Sequence, residues 1–191
     1  MYLFFDTETT GLPKNWKAPV TDLGNWPRMV QLAYWSYDAD GTKVGGGDFI
    51  IKPAGFTIPA EAERIHGIST ARALREGKDL EAVMRDFQSA IGRAECLVAH
   101  NMSFDEKIAG AEFLRCGMPD VLQLKKKICT MKSATDYCAI PGPYGNKWPK
   151  LTELHHKLFQ KGFDEAHNAA ADVMATIKCF WELKRLGIIE A

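Results

Sequence analysis

The stretch YLFFDTE, residues 2–8, places four consecutive apolar residues directly before two acids. A continuous apolar run of this kind predicts a strand that is buried on both faces and that emerges at its carboxyl end. On a strand, side chains two positions apart point to the same side, so Asp6 and Glu8 are predicted to lie on one face about 6 to 7 Å apart. Two carboxylates, which are hard oxygen ligands, therefore converge at the end of this strand.

Around this strand the sequence predicts an α/β fold with a mixed sheet flanked by helices. The next two strands are separated by the turn signal Asp40-Gly41, which indicates an antiparallel meander, and the later strands alternate with helices. The predicted further strands are 29–37, 42–52, 96–99 and 127–131. The predicted helices are 80–91, 104–115, 151–159 and 168–186, the second of them started by a capping box of Ser103 and Glu106.

Charge and composition exclude some classes of function. The chain has 191 residues, with 24 Lys and Arg against 24 Asp and Glu, so no overall positive field gathers long polyanions onto its surface. A histone-like protein or a polybasic membrane binder is therefore excluded. The opening apolar stretch is far shorter than the roughly 20 residues that span a bilayer. We expect one domain over residues 1–191, cytoplasmic and without membrane contact.

The five cysteines do not indicate a disulfide framework or a zinc knuckle. Their number is odd, and no two of them lie within four residues of each other. They are interpreted as small core residues or incidental thiols.

Two long segments, 13–27 and 133–149, are predicted to be irregular, and both combine Gly or Pro with aromatic residues. One interpretation is a rim that stacks nucleobases, because aromatic rings lie beside Lys147 and Lys150. The other is a pair of loops that fold over the core with their rings as anchors. The run of lysines at 125–127 is either a source of local cations or an ordinary solvated edge.

Two more acids and a histidine are candidates for the same site. Asp105 is predicted in the first turn of a helix, where it could equally stabilise the helix dipole by about 0.3 to 1 kcal/mol. Asp172 lies beside the inward-facing stripe of the last helix, where a carboxylate without a partner would be strongly penalised and a cation is its natural company. His167 must lie at or before the start of that helix, since five residues rotate the chain by about 500°. It is either a base near a metal or a solvated loop residue.

These residues stand in motifs that resemble a known family. The segments DTETTGL at 6–12, HNMSFD at 100–105 and HNAAAD at 167–172 are similar, in this order, to the three exonuclease motifs of the DEDDh family. That family includes the proofreading (epsilon) subunit of bacterial DNA polymerase III, ribonuclease T and oligoribonuclease. The segment IHGI at 65–68 is similar to a further segment of the epsilon-like members.

The resemblance implies a ribonuclease H-like fold with a five-stranded mixed sheet and a catalytic site with two divalent cations, Mg²⁺ or Mn²⁺. It implies that Asp6 bridges both cations, that Glu8 and Asp172 complete the first metal site, and that Asp105 helps to hold the second through water. His167 would be the general base, for which an imidazole is suited near neutral pH.

The resemblance also implies substrate-binding residues. Leu12 matches a position that wedges against the terminal base, and Phe104 matches one that packs near the terminal nucleotide. His66 and Asn101 match positions near the sugar or phosphate, and Thr9 is counted with this group. From their residue types alone, all could equally be packing or capping residues.

The function implied is a metal-dependent 3′–5′ exonuclease that acts on single-stranded 3′ ends, with DNA favoured, and releases nucleoside 5′-monophosphates. A second reading keeps the chemistry and changes the substrate to RNA or short oligonucleotides. A third is a non-catalytic nucleic-acid-binding or polymerase-accessory module, which would be expected to have lost an acid or the histidine. Any proofreading would require a polymerase subunit in trans.

Overall fold

The fold is built on a five-stranded mixed sheet, as the sequence predicts. The computed structural model describes residues 1–163 and 168–190. Within them the strand order is β3-β2-β1-β4-β5; β1 is antiparallel to β2 and parallel to β4. The strands are β1 (Tyr2–Thr9), β2 (Met29–Tyr37), β3 (Lys43–Ile50), β4 (Cys96–Ala99) and β5 (Lys126–Cys129). A small hairpin, β6 (Pro141–Gly142) and β7 (Gly145–Asn146), stands apart from this sheet.

Helices cover both faces of the sheet. The short α-helices of the described residues are α1 (Ala60–His66), α2 (Thr70–Glu76), α5 (Thr130–Ser133) and α6 (Thr135–Cys138), and a 3-10 helix spans Val121–Leu124. The longer ones are α3 (Leu80–Arg93), α4 (Met102–Arg115), α7 (Leu151–Phe159) and α8 (Ala169–Arg185). Across the described part of the chain, no helix has both the length and the apolar character needed to cross a bilayer.

The alternation of side chains along β1 divides the core in two. Leu3 and Phe5 belong to the cluster that contains the buried residues of α3 and α4, whereas Tyr2 and Phe4 belong to the cluster that contains those of α8. Both faces of β1 are therefore apolar until the strand reaches its acids. This explains why the opening run of the sequence carries no period-two alternation of polar and apolar residues.

The predicted capping box at the start of α4 is wrong. The helix begins at Met102, with Asn101 as its N-cap in the left-handed region at φ 71°. The Ser103 hydroxyl donates to Asn101 Oδ1 at 3.0 Å instead of accepting from the helix backbone. Glu106 pairs with Lys127 at 2.7 Å, because β5 runs beside this face of α4.

Several predicted boundaries also need correction. The fifth strand ends at Cys129 rather than residue 131, since Thr130 and Met131 already belong to α5. The third strand is shorter than the predicted 42–52. The segment 133–149 is not irregular throughout, because it contains α6 and the hairpin. Helices α1 and α2 lie where no element was predicted, whereas residues 13–27 form neither helix nor strand, as expected.

A buried carboxylate fixes the segment 13–27 against α4. Glu112 is fully buried, and its Oε1 accepts from Arg28 Nε, from the Met29 backbone N–H and from Arg115 Nη1, each at 2.9 Å. Arg115 Nη2 in turn donates to the carbonyl oxygens of Leu23 and Trp26 at 2.7 Å. Side-chain contacts thus hold this segment in place although it has no regular secondary structure.

We expect Glu112→Ala to destabilise the protein by about 3 kcal/mol. The substitution removes the buried acceptor that two arginines and a backbone N–H share, and it leaves these donors unpaired. Chemical denaturation measures the loss. Glu81→Ala, which removes an exposed pair with Arg85, is the matched control and should change the free energy of unfolding far less. Equal losses of unfolding free energy in the two variants would show that the buried network of Glu112 stabilises the protein no more than an exposed ion pair does.

Candidate active site

Three carboxylates meet at the carboxyl end of β1. Asp6, Glu8 and Asp172 each offer one oxygen, and these three atoms lie within 4.8 Å of one another. Asp6 and Glu8 have the same parity along β1 as Tyr2 and Phe4, so they face α8, where Asp172 occupies the first turn. The predicted convergence of these acids is thus present in the fold.

Asp105 lies beside this cluster but is held by a different contact. It is 2 % exposed, and its Oδ1 accepts from the backbone N–H of Thr7 at 3.0 Å and from the Thr7 hydroxyl at 2.8 Å. Thr7 has the opposite parity to Asp6 and points toward α4, which carries Asp105 in its first turn. One strand therefore presents acids to α8 and a hydrogen-bond donor to α4.

Crowding and burial shift the acids toward their neutral forms. Burial raises the pKa of Asp6 well above its usual range, with Asp105, Glu8 and Asp172 adding to the effect. Burial and the charges of Asp172 and Asp105 raise the pKa of Glu8 to about 8. Burial raises the pKa of Asp105 to about 7, even though its hydrogen bonds from Thr7 act in the opposite direction. Negative charge at this point of the fold is therefore only partly compensated by protein groups.

The donor set fits a hard divalent cation. Carboxylate oxygens are the ligands that Mg²⁺ prefers, and Mn²⁺ accepts the same set. A cation would relieve the repulsion that raises the pKa values of Asp6 and Glu8. The described part of the site offers oxygen ligands from Asp6, Glu8 and Asp172, with Asp105 adjacent.

Two pockets flank the acid cluster. One, of about 600 Å³, is lined by residues that include Glu8, Thr9 and His66. The other, of about 380 Å³, is lined by residues that include Asp6, Asn101 and Asp172. Leu12 and Phe104 line both pockets. The fold thus brings all five predicted substrate-binding residues to the walls of one cleft, while their roles stay predictions.

The loop that carries Leu12 is tied down although Leu12 itself is 73 % exposed. The Thr9 hydroxyl donates to the carbonyl oxygen of Gly11 at 2.6 Å, and Gly11 adopts φ 148°. The Thr10 backbone N–H donates to the carbonyl oxygen of Arg28 at 2.9 Å. An exposed apolar side chain on a fixed loop suits a wedge against an apolar ligand surface.

His66 is a neutral donor in the larger pocket. It is buried, and burial lowers its pKa. Its Nδ1 accepts from the Ile68 backbone N–H at 3.1 Å, so the ring proton resides on Nε2. Nε2 is buried and forms no hydrogen bond of ordinary geometry to a described residue. A neutral ring N–H suits contact with an uncharged group such as a sugar hydroxyl.

Sequence analysis gave no role to Thr7 and His100 of this cleft, and it considered Trp16 only as one of the aromatic rings of the segment 13–27. Thr7 was passed over because it lies between two acids and faces away from them. Trp16 lines the smaller pocket, with its ring centroid 5.7 Å from that of Phe104. His100 lines the same pocket, and burial lowers its pKa to about 4. The sequence offered two signals for His100, its position at a strand end and its place as the first residue of the motif at 100–105.

His167, the predicted general base, lies outside the described residues, and its role stays a prediction. Asn168, which follows it, caps α8 by accepting from the backbone N–H groups of Ala170 and Ala171 at 3.1 and 3.3 Å. The last helix, predicted over 168–186, is observed as Ala169–Arg185, with Asn168 as its N-cap rather than its first residue.

Comparison with protein families decides the relationship. Residues 3–180 match the model of the Exonuclease (RNase T) family. The chain belongs to this exonuclease family. The resemblance to DEDDh-type 3′–5′ exonucleases is confirmed, and the family match spans the sheet, both pockets and the acids.

Individual relatives agree. The chain is 33% identical over 175 residues, 92% of its length, to a PolC-type DNA polymerase III of Streptococcus pyogenes, and 34% identical over 122 residues, 64% of its length, to that of Streptococcus sanguinis. Among solved structures it is similar to Escherichia coli exonuclease I with a dA16 oligonucleotide, at TM-score 0.75 and 23% identity over 96% of this chain. A zinc-bound exonuclease I complex with single-stranded DNA gives TM-score 0.75 and 25% identity over 97%.

The chain covers only part of the length of each of these relatives. It spans 10% and 7% of the two polymerases and 40% of each exonuclease I chain. The ribonuclease H-like fold is shared with exonuclease I, as predicted.

We expect the metal-free protein to lose stability as the pH rises from about 4.5 to about 8. Glu8 ionises near pH 4.5 when unfolded and near pH 8 when folded, so the folded state binds the extra proton and is disfavoured as that proton is lost. Thermal denaturation in chelator measures this slope. Glu8→Gln should flatten it and raise the melting temperature at pH 8 by a few degrees.

Asp22→Asn, at an exposed acid outside the cleft, is the control and should leave the slope unchanged. A wild-type melting temperature that is constant over this pH range would contradict the assigned crowding at Glu8. Saturating Mn²⁺ should restore stability at pH 8, since a ligand that binds only the folded state stabilises it.

Proposed function

We propose that the protein is a metal-dependent 3′–5′ exonuclease that hydrolyses the terminal phosphodiester bond of single-stranded nucleic acid, with DNA favoured, and releases nucleoside 5′-monophosphates. The observation that carries the proposal is the position of Asp6, Glu8 and Asp172 between two pockets that share Leu12 and Phe104. A terminal nucleotide in this cleft places its phosphate next to the carboxylates. The family match and the family motifs support the same chemistry.

The acids would hold two divalent cations, Mg²⁺ or Mn²⁺, with Asp6 shared, Glu8 and Asp172 completing one site and Asp105 supporting the other. When bound, such a pair supplies a nucleophilic water near neutral pH and neutralises charge on the leaving oxygen. The protein's own part is to fix the carboxylates. Thr7 performs this for Asp105, whose Oδ1 it engages twice, so that one carboxylate oxygen remains for the site.

The cleft walls orient the terminal nucleotide. Leu12 and Phe104 offer apolar surface for its base, and the ring of Trp16 extends this surface beside Phe104. His66, which lines the larger pocket, would donate from Nε2 to the sugar. Asn101, held in the left-handed region at the start of α4, also borders the smaller pocket. These contacts position the scissile bond and use no base-specific pattern, which suits an enzyme that removes nucleotides of any sequence.

His167 is proposed as the general base. The family pattern places a histidine five residues before the last acid, and this chain has it. An imidazole with an ordinary pKa can accept a proton from water near neutral pH.

DNA is favoured as substrate because the relatives compared are DNA polymerases and an exonuclease bound to DNA oligonucleotides. A DNA polymerase is the proposed partner if the protein proofreads. The non-catalytic alternative is disfavoured because Asp6, Glu8, Asp105 and Asp172 are all present and lie at one site. Digestion of matched DNA and RNA oligomers of several lengths distinguishes this proposal from the alternative, in which the substrate is RNA or short oligonucleotides.

We expect the purified protein with Mg²⁺ or Mn²⁺ to shorten a 5′-labelled single strand stepwise, and chelator to stop it. Asp6→Asn should abolish cleavage, because it removes the carboxylate shared by both cation sites. Its circular dichroism should match wild type, and its melting temperature in chelator should be equal or higher, because repulsion among the acids is relieved. Asp22→Asn should cleave normally. A strand left intact by the wild-type protein with either cation would refute the proposed activity.

We expect His167→Ala to lower turnover by about 10²- to 10⁴-fold, the usual range for loss of a general base. Mn²⁺ affinity, measured by calorimetry, should change little, since the imidazole is not assigned as a ligand. His156→Ala, at an exposed histidine on α7, is the matched control and should cleave normally. Unchanged turnover in His167→Ala would remove the histidine from the mechanism.

A further inference from the structure

The hairpin β6–β7 presents aromatic rings to solvent that the fold does not use. Tyr144, at the tip of the hairpin, is fully exposed, and Trp148, just after β7, is 61% exposed. Residues 142–148 line a groove of about 400 Å³. The buried core clusters include neither ring. Two large exposed rings that line the same groove offer apolar surface suited to a flat ligand.

The hairpin is held in one position by contacts on both sides. The backbone N–H of Lys147 donates to the carbonyl oxygen of Ile140 at 2.9 Å. Asn146 Nδ2 donates to Asp136 on α6 at 3.1 Å, and Lys147 pairs with Glu153 on α7 at 2.7 Å. The exposed rings therefore stand on a fixed support, which lowers the entropy lost when a ligand orders them.

The same hairpin is joined to the wall of the catalytic cleft. His100, which lines the pocket of Asp6 and Asp172, contacts the carbonyl oxygen of Pro149 through Nε2 at 3.0 Å. Pro149 directly follows Trp148, and Leu151, two residues later, lines that pocket as well. The backbone that directly follows Trp148 is thus attached to the wall of the cleft.

Charge indicates what this surface binds. Neither pocket that flanks the acids is lined by a lysine or arginine among the described residues. Basic side chains that contact the phosphates upstream of the terminal one must therefore lie outside these two pockets. Lys132 and Lys150 are exposed and form no ion pair with a described residue, and Lys132 Nζ lies 6.0 Å from the ring centroid of Trp148. Aromatic faces beside unpaired lysines are the usual combination for single-stranded nucleic acid.

We propose that the hairpin surface, defined by Tyr144, Trp148, Lys132 and Lys150, binds the nucleotides of a single strand that lie on the 5′ side of the terminus in the cleft. The proposal rests on the proposed function for its direction: with the 3′ nucleotide at the acids, all remaining nucleotides lie 5′ of it. Tyr144 and Trp148 stack bases, and the two lysines contact phosphates. The surface thereby makes long strands better substrates than short ones.

The test compares a long substrate with one that is too short to reach the hairpin. The probes are 5′-fluorescein-labelled (dT)₁₂ and the p-nitrophenyl ester of thymidine 5′-monophosphate, which has no upstream nucleotide. Trp148→Ala and Tyr144→Ala should each lower kcat/KM on the oligomer by about 5- to 150-fold, the loss expected for one stacked base. Both should hydrolyse the ester at the wild-type rate. Phe at either position should restore activity on the oligomer, since it keeps a ring face.

Binding tests the lysines independently of cleavage. Anisotropy of labelled (dT)₁₂ is measured in chelator at several salt concentrations. Lys132→Ala and Lys150→Ala should each reduce the slope of log K against log salt by about 0.7, the value for one phosphate contact on a single strand. Lys178→Ala on α8 removes an equal charge from an exposed position, and Leu124→Ala removes an exposed apolar side chain. Both controls should match wild type.

The outcomes separate this proposal from the proposed function. If the wild-type protein cleaves neither probe but binding depends on the hairpin residues, the exonuclease assignment fails and the surface stands. If the hairpin variants cleave and bind (dT)₁₂ like wild type, the surface assignment is wrong and the exonuclease stands. Equal losses on the oligomer and on the ester would also overturn it, because they would show damage to the cleft rather than loss of upstream contacts.

Discussion

The repulsion among clustered carboxylates is the constraint around which the fold is arranged. Three of them lie within 4.8 Å of one another, and Asp105 adds to the charge at Asp6. Such a cluster opposes folding, so other contacts of the backbone that carries it must offset the cost. Strand β1 meets this need because it is the central strand of the sheet and its preceding residues are buried on both faces. Burial of each large apolar side chain contributes about 1.5 to 3 kcal/mol, so the run before the acids offsets their cost.

The odd and even positions of β1 explain how one strand serves two helices. Asp6 and Glu8 continue the face of Tyr2 and Phe4 and meet α8, whereas Thr7 continues the face of Leu3 and Phe5 and meets α4. A shift of the strand by one residue would exchange these partners. Thr7 would then face α8, and Asp6 and Glu8 would face α4. The register is fixed on both sides, since β1 pairs antiparallel with β2 along its length and parallel with β4. Catalytic geometry at the strand end therefore depends on sheet pairing well upstream of it.

Much of this could be predicted from local sequence, and what could not has a physical reason. The apolar run, the period-two placement of Asp6 and Glu8 and the inward stripe beside Asp172 all act within one element, so the sequence predicts them. The start of α4 could not be predicted from local sequence. Glu106 forms an ion pair with Lys127, which is 21 residues away in the sequence, and Asn101 adopts a left-handed conformation that Asn tolerates. The bond between Thr7 and Asp105 joins residues 98 positions apart. The walls of the two pockets likewise depend on loops whose packing is set by long-range contacts, such as those of Glu112 with Arg28 and Arg115.

The distribution of positive charge follows from the same constraint. A lysine or arginine placed among the acids would form ion pairs with them and occupy the position that a divalent cation needs. The walls of both flanking pockets include no lysine or arginine among the described residues, whereas Lys132 lies beside Trp148 at the hairpin. Since the net charge of the chain is zero, no long-range field compensates for this arrangement. Under the proposed function, affinity for a strand would then come from divalent cations at its terminus and from short-range stacking and lysine contacts along its upstream nucleotides. These two proposed contributions come from different parts of the fold, so strand length and divalent-cation occupancy would affect the proposed reaction independently.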